Sequence, residues 1–305
     1  METRKINVTK FRWSRFKEGS GNYAFLVPAL LFLAVFMIYP IVYNIILSFK
    51  DVTVSNIQGE QHFVGFRNYA EELKSAAFMI SLKNSTLFTG LSLIFQFAIG
   101  FMLALFFNYK FPARNLFRSL MLVAWVIPSV ISGSLFKWMF AGEQGIVNYI
   151  LIVIGVINEP ITWLTDQNFS LASTIISNIW LGIPFNMLIL LAGLQSLPED
   201  VYEAGKMDGA NPIQRFFFIT LPMLKSTIYI LLVLGFIYTF KVFDLILVMT
   251  NGGPVNSSSV LPLHAYNLAF VTYDFSRAAT VAGFMLIIVI VVSIGYLKLI
   301  RSEEE

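Results

Sequence analysis

Few side chains in this 305-residue sequence could make or break bonds. There is no cysteine, which excludes disulfides, thiol catalysis and Cys-ligated metal. The two histidines, His62 and His264, fall in separate loops, where a lone histidine is ordinarily a surface residue. No HExxH or Gly-x-Ser-x-Gly run occurs. Gly205-Lys206 is followed by Met207 rather than Ser or Thr, so no Walker-type phosphate loop is present. What remains is binding chemistry. Asn178 and Asn186 bring two amides into one apolar run, and Lys241 and Asp244, three residues apart in another, can pair across one helical turn. A polar interruption at residues 196–222 carries Glu203 and Asp208, which offer charge to a partner beside the small Ala204 and Gly205.

The elements that must hold these residues are membrane helices. The chain is 57% hydrophobic and 13% charged with a mean hydropathy of +0.72, outside the range of soluble domains. Thirty Phe and five Trp suit a lipid-facing surface with interfacial aromatics. Six apolar runs reach the ~20 residues that cross a bilayer core, roughly 23–48, 79–107, 119–140, 169–193, 226–249 and 278–299. The expected fold is therefore all-α and polytopic, with a transmembrane domain over residues 23–300. The first run, with Pro28 and Pro40, is too long for a cleaved signal sequence. Residues 145–157 are apolar but too short to span, and predict an interfacial or re-entrant helix. Gly133 and Ser134 suit close helix packing, and Gly182 with Pro184 permits a bend.

Charge sets the orientation. Fourteen of the twenty-one Lys and Arg residues fall on the side of the N-terminus and the 196–222 loop, six on the other side, and Lys241 within a span. The positive-inside rule places both termini and that loop in the cytoplasm. Residues 1–22, basic with Phe11, Trp13 and Phe16 interleaved, read as an amphipathic arm on the inner surface, and 301–305 as a short solvated tail. Basic residues clustered beside apolar spans are not a nucleic-acid signal.

The 196–222 loop reads as two short helices. Ser196 and Glu199 have capping-box spacing, Pro198 suits a first turn and Gly209 a stop. Asn211 caps a second helix with Pro212 at its first position, and Pro222 marks a turn of the backbone. Two readings fit: a surface connection between spans, or a plug awaiting a socket. Two readings also fit the intramembrane amides, which either join helices or line a wet cavity with Asn178, Gly182 and Phe185 on one face. Lys241 and Asp244 are likewise either a substrate site or a structural pair near the outer interface.

The sequence Glu203-Ala204-Gly205, then Gly209, then Ile219-x-Leu221-Pro222, resembles the coupling loop of permease subunits of binding-protein-dependent ABC importers, with Gly205 replacing the family's second Ala. Phe63-Val-Gly-Phe-Arg-Asn-Tyr69 and Thr250-Asn-Gly-Gly-Pro254, with the Tyr/Ala/Phe-rich stretch that follows, resemble the carbohydrate branch. The resemblance spans nearly the whole chain and implies a type I importer permease fold in a bacterial or archaeal cell membrane. It implies that Glu203, Ala204, Gly205, Asp208, Gly209 and Ala210 couple to a separate dimeric ATPase, which holds ATP and Mg while this chain holds no cofactor. A second homologous permease and an extracytoplasmic solute-binding protein complete the expected assembly, and the 250–278 segment is expected to form a scoop near that protein. Carried over from the maltose permease, the sugar-contacting positions fall on Asn178, Leu181, Gly182, Phe185, Gly235, Tyr238, Thr239 and Val242, to which Lys241 and Asp244 add charge. The rivals are an ABC importer for an amino acid, peptide or oxyanion, and an ion-gradient transporter working alone.

Overall fold

The computed structural model describes residues 25–304; the expected N-terminal arm lies outside them. In chain order the elements are α1 (Val27–Ser48), β1 (Lys50–Asp51), β2 (His62–Phe63), α2 (Arg67–Lys74), α3 (Ala76–Asn108), α4 (Arg114–Val126), α5 (Ser129–Met139), α6 (Ile146–Val153), α7 (Ser170–Gln195), α8 (Glu199–Met207), α9 (Pro212–Met223), α10 (Lys225–Phe240), α11 (Asp244–Met249), α12 (Leu261–Phe270) and α13 (Phe275–Glu304). β1 and β2 pair antiparallel, Lys50 opposite Phe63. The backbone of the expected tail continues α13 to Glu304.

Helices α1, α3, α7 and α13 are long and apolar enough to span a bilayer. Two bent pairs, α4 with α5 at 94° and α9 with α10 at 66°, are long and apolar enough to cross only when each pair is taken together. Six spans were expected, but the third and fifth are not continuous rods. Between α4 and α5, Ile127 is extended because Pro128 follows it, and Pro128 itself leaves the helix (φ −54°, ψ 134°). The fifth run, expected to continue to residue 249, stops at Phe240 and restarts at Asp244. Neither Pro nor Gly breaks it. Instead Asp244 begins α11 with its carboxylate in the first turn, and Gly133 of α5 sits so close that a Cβ there would meet the Leu245 carbonyl at 3.3 Å. Two π-helical turns, Ala34–Ile38 and Phe216–Thr220, each precede a proline, Pro40 and Pro222, that cannot donate to the carbonyl four residues back.

Lipid offers no hydrophobic drive for helices to associate, so close packing and hydrogen bonds hold the bundle. Helix α3 is the central post and packs along α7. They approach closely at Gly100, where a Cβ would lie 2.6 Å from the Asn186 Cβ. Phe101, Met187, Leu190, Leu194 and Leu224 fill the core nearby. A polar stripe on α3 ties down the loop after α11: Asn84 Nδ2 donates to the carbonyls of Asn256, Ser257 and Ser259 at 2.9–3.1 Å, and Ser85 accepts from the Leu261 amide at 2.7 Å. The base of that loop is sewn into the core, with Gly252, Ser258 and Ser259 buried, while Asn251, Val255 and Asn256 are exposed.

The same end of the molecule carries a correction. His264 lies on α12, buried, its Nε2 3.3 Å from Glu72 of α2, whose other oxygen accepts from Arg277 at 2.5 Å. Burial alone would push the Glu72 carboxyl up, but the His264 hydrogen bond and the Arg277 charge together hold it below the usual carboxylate value. Asn68 donates to the carbonyls of Ser48 and Lys50, and Tyr69 meets the Ser48 hydroxyl at 2.8 Å, so the 63–69 stretch fastens the end of α1 to α2. The short α6 forms where a non-spanning helix was expected, and Asn148 pins it to the Ile161 carbonyl and the Trp163 ring N–H.

Candidate functional site

Two places answer to the binding chemistry in the sequence, a cavity among the spans and the polar loop at one end. The cavity encloses about 350 Å³ between α3, α4, α7, α10 and the start of α11. Asn178, Leu181, Gly182 and Phe185 reach it from successive turns of α7, and Gly235, Tyr238, Thr239 and Val242 from α10 and its end. Eight of the ten expected pathway positions therefore share one wall, and the remaining two, Lys241 and Asp244, do not line it.

Lys241 and Asp244 also do not pair, because the helix ends between them. The Lys241 ammonium lies 4.8 Å from the Tyr238 ring centroid, and Asp244 accepts a short hydrogen bond from Ser129 at the first turn of α5. Ser129 and Asp244 each open the segment beyond a break, so this contact ties the two pieces, α5 and α11, to each other.

Among the lining residues that were not anticipated, Gln96, Trp125 and Ser129 bring polar or aromatic groups. Gln96 of α3 donates to the Asn178 carbonyl at 2.8 Å and occupies the space that Gly182 leaves, where a Cβ would fall 2.2 Å from the Gln96 amide carbon. Gly182 thus admits a neighbour's amide rather than only allowing a bend. Trp125 of α4 stacks on Phe185 at 5.8 Å, and Phe185 meets Tyr238 edge-on at 5.8 Å, so three rings form a continuous wall. Ser129 adds a hydroxyl. The signal for Gln96 was available: it is a lone amide in an apolar run, as Asn178 is. Asn186 is satisfied by the Gly182 carbonyl at 2.9 Å. The Asn178 Nδ2, by contrast, is buried with no partner among the described residues. No lining residue carries a formal charge.

At the loop, the two expected helices form as α8 and α9. The capping box does not form at Ser196, whose hydroxyl donates to the Gly193 carbonyl at 2.8 Å; Pro198 is the N-cap of α8. Gly209 ends α8 with φ +79°, and the Asn211–Gln214 capping box starts α9 with both bonds at 2.8–2.9 Å. Gly205 is buried against the chain's own Ile219, where a Cβ would lie 2.7 Å from the side-chain tip. Its smallness therefore serves the α8–α9 contact. Glu203, Ala204, Asp208 and Gly209 are exposed, Ala210 partly so. Met207, 88% exposed, and Ile213, 69% exposed, leave an apolar tip that the sequence reading did not single out.

Comparison with known proteins places this geometry. Residues 96–302 match the family model described as binding-protein-dependent transport system inner membrane component. The chain is 33% identical to the trehalose/maltose transport system permease protein MalF of Thermococcus litoralis, covering 95% of this chain and 97% of that one. It is 32% identical to the sulfoquinovosyl glycerol transport system permease protein SmoG of Agrobacterium fabrum, over 96% and 95%. A chain of a bacterial ABC transporter involved in the import of the acidic polysaccharide alginate superposes with a TM-score of 0.81 at 25% identity, covering 95% of this chain and 98% of that one.

Proposed function

This chain belongs to the family of binding-protein-dependent transport system inner membrane components, and from that premise we propose how its parts divide the work. It is a membrane permease subunit of an ABC importer and not itself an enzyme. Its cargo is a neutral sugar, which rests in the cavity between α3, α7 and α10. The relatives' named cargoes are sugars and their derivatives, neutral in some and acidic in others.

The observation that carries the reading is the unpartnered Asn178 amide beside three aromatic rings in an uncharged wall. A buried donor left unmade costs about 1–3 kcal/mol. A sugar hydroxyl would relieve it, and ring faces pack on sugar C–H surfaces. An acidic sugar would bring a charge that no lining residue neutralises.

The α8–α9 loop faces the cytoplasm, as the Lys and Arg bias supports, and seats in a cleft of a separate ATPase that holds ATP and Mg. A second permease supplies the other half of the pathway, and a solute-binding protein delivers sugar from outside. ATP-driven closure of the ATPases moves the loops, rocks the spans and opens the cavity outward. Purified transporter in proteoliposomes tests the cargo. Asn178→Ala should lower uptake of a radiolabelled neutral disaccharide about tenfold without dissociating the complex. Unaltered uptake, or preference of the unsubstituted transporter for a uronic acid, would remove the neutral-sugar reading.

A further inference from the structure

A large polar cavity lies away from the sugar site, at the α8–α9 end. It encloses about 850 Å³ between the α3–α4 turn and α8–α9. Lys110, Arg114 and Arg118 line it from the turn and α4, and Lys206 and Arg215 from the loop. Glu199 and Glu203 are the carboxylates on its wall, so five cations face two anions. Among the described residues none of these seven forms an ion pair. The Nε atoms of Arg118 and Arg215, one from each side of the cavity, are buried without a hydrogen-bond partner. Arg118 spends one terminal N–H on the Phe107 carbonyl, which fixes the guanidinium at the wall.

Unpaired guanidinium N–H groups brought together from two elements match the oxygens of a phosphate, which accepts several charge-assisted hydrogen bonds at once. Asn108, Asn115 and Tyr109 add neutral polar groups to the lining. We propose that this cavity binds a phosphate-bearing anion, which bridges the α3–α4 turn to the α8–α9 loop. A ligand held from both sides braces the loop against the spans, so its occupancy would modulate how ATPase motion reaches the sugar cavity. That last consequence rests on the coupling role proposed above; the binding itself does not. Two sources carry the same chemistry. One is the headgroup of an anionic phospholipid, since basic pockets at the inner edge of membrane helices take such groups. The other is a soluble phosphate compound.

Native mass spectrometry of the assembled transporter distinguishes them. One sample is released from nanodiscs of phosphatidylcholine with or without phosphatidylglycerol; the other, in detergent, is titrated with inorganic phosphate. Retention of phosphatidylglycerol or of phosphate supports the site and names its source. Arg118→Gln should lower that retention roughly fivefold, the worth of one cation near such a group. Lys110→Gln, on an exposed side chain, provides a second variant whose folding is not in question. Retention that is absent in the unsubstituted protein, or equal in it and both variants, overturns the proposal. Arg118-dependent retention that persists after the ATPase is shown to dock elsewhere leaves the anion site standing and sinks only the coupling role.

Discussion

Glycines and amides carry most of the argument at the scale of single residues. An alanine at position 182 would place a methyl group 2.2 Å from the Gln96 amide carbon, so Gln96 would have to release the Asn178 carbonyl. Gly182→Ala should therefore lower initial rates of sugar uptake, and Gln96→Ala in the same chain should restore part of the loss. Strictly additive losses would show that the two positions do not act together. Gly205 differs, because the atom in the way is the flexible tip of Ile219. Gly205→Ala should be tolerated, whereas Gly205→Leu should cost about 1–3 kcal/mol of α8–α9 packing and depress transport-coupled ATP hydrolysis. Glu72 gives a pH test. A carboxyl held below its ordinary value contributes stability that is complete above 4.5 and is lost as pH falls through the lower folded value. Asp274, raised chiefly by burial, works in the opposite sense above 3.8, so the comparison must be between proteins rather than along one curve. Thermal melting of Glu72→Gln should lose less stability than the unsubstituted protein on acidification below about pH 4.5; parallel acid limbs would contradict the assignment. Asn178 was legible because an amide in an apolar run must find a partner. His264 was misread because nothing near it in the sequence points to Glu72, 192 residues away.

Elements show where sequence reading succeeds and where it stops. The lengths of α3, α7 and α13, the caps at Gly209 and Asn211 and the short α6 follow from hydrophobic run length and local cap chemistry. The breaks do not follow equally. Pro128 announced the first, and the apolar run concealed it. The gap at residues 241–243 has no local cause, since it depends on the Asp244–Ser129 contact and on α5 lying against α11. Gly235, Tyr238 and Thr239 face the cavity from α10, and Val242 joins them from just beyond its end at Phe240. If the Ser129–Asp244 contact ties α5 to α11 as one unit, Ser129→Ala and Asp244→Asn should each reduce uptake while leaving complex assembly intact. The double variant should be no worse than the more damaging single one. A double-variant loss equal to the sum of the two would show that the residues act separately.

At the scale of the whole molecule, the proposed role makes the chain half of a pathway that takes its energy from partners. Helix α1 is exposed along its membrane window. In the proposed mechanism, force passes through α8 and the turn after it. Glu203→Lys places a cation on the proposed docking face, and Gly209→Pro forbids the φ of +79° that ends α8. Both should weaken ATPase co-purification without preventing membrane insertion. The absence of cysteine makes a sharper measurement possible. A single cysteine at Met207, 88% exposed on the loop tip, can be cross-linked in the assembled transporter and compared with one at Val271, 64% exposed at the opposite end. The expected result is a covalent adduct of the ATP-hydrolysing subunit with position 207 and none with position 271. An ATPase adduct at 271, or none at 207 in a transporter that still imports, would contradict the account.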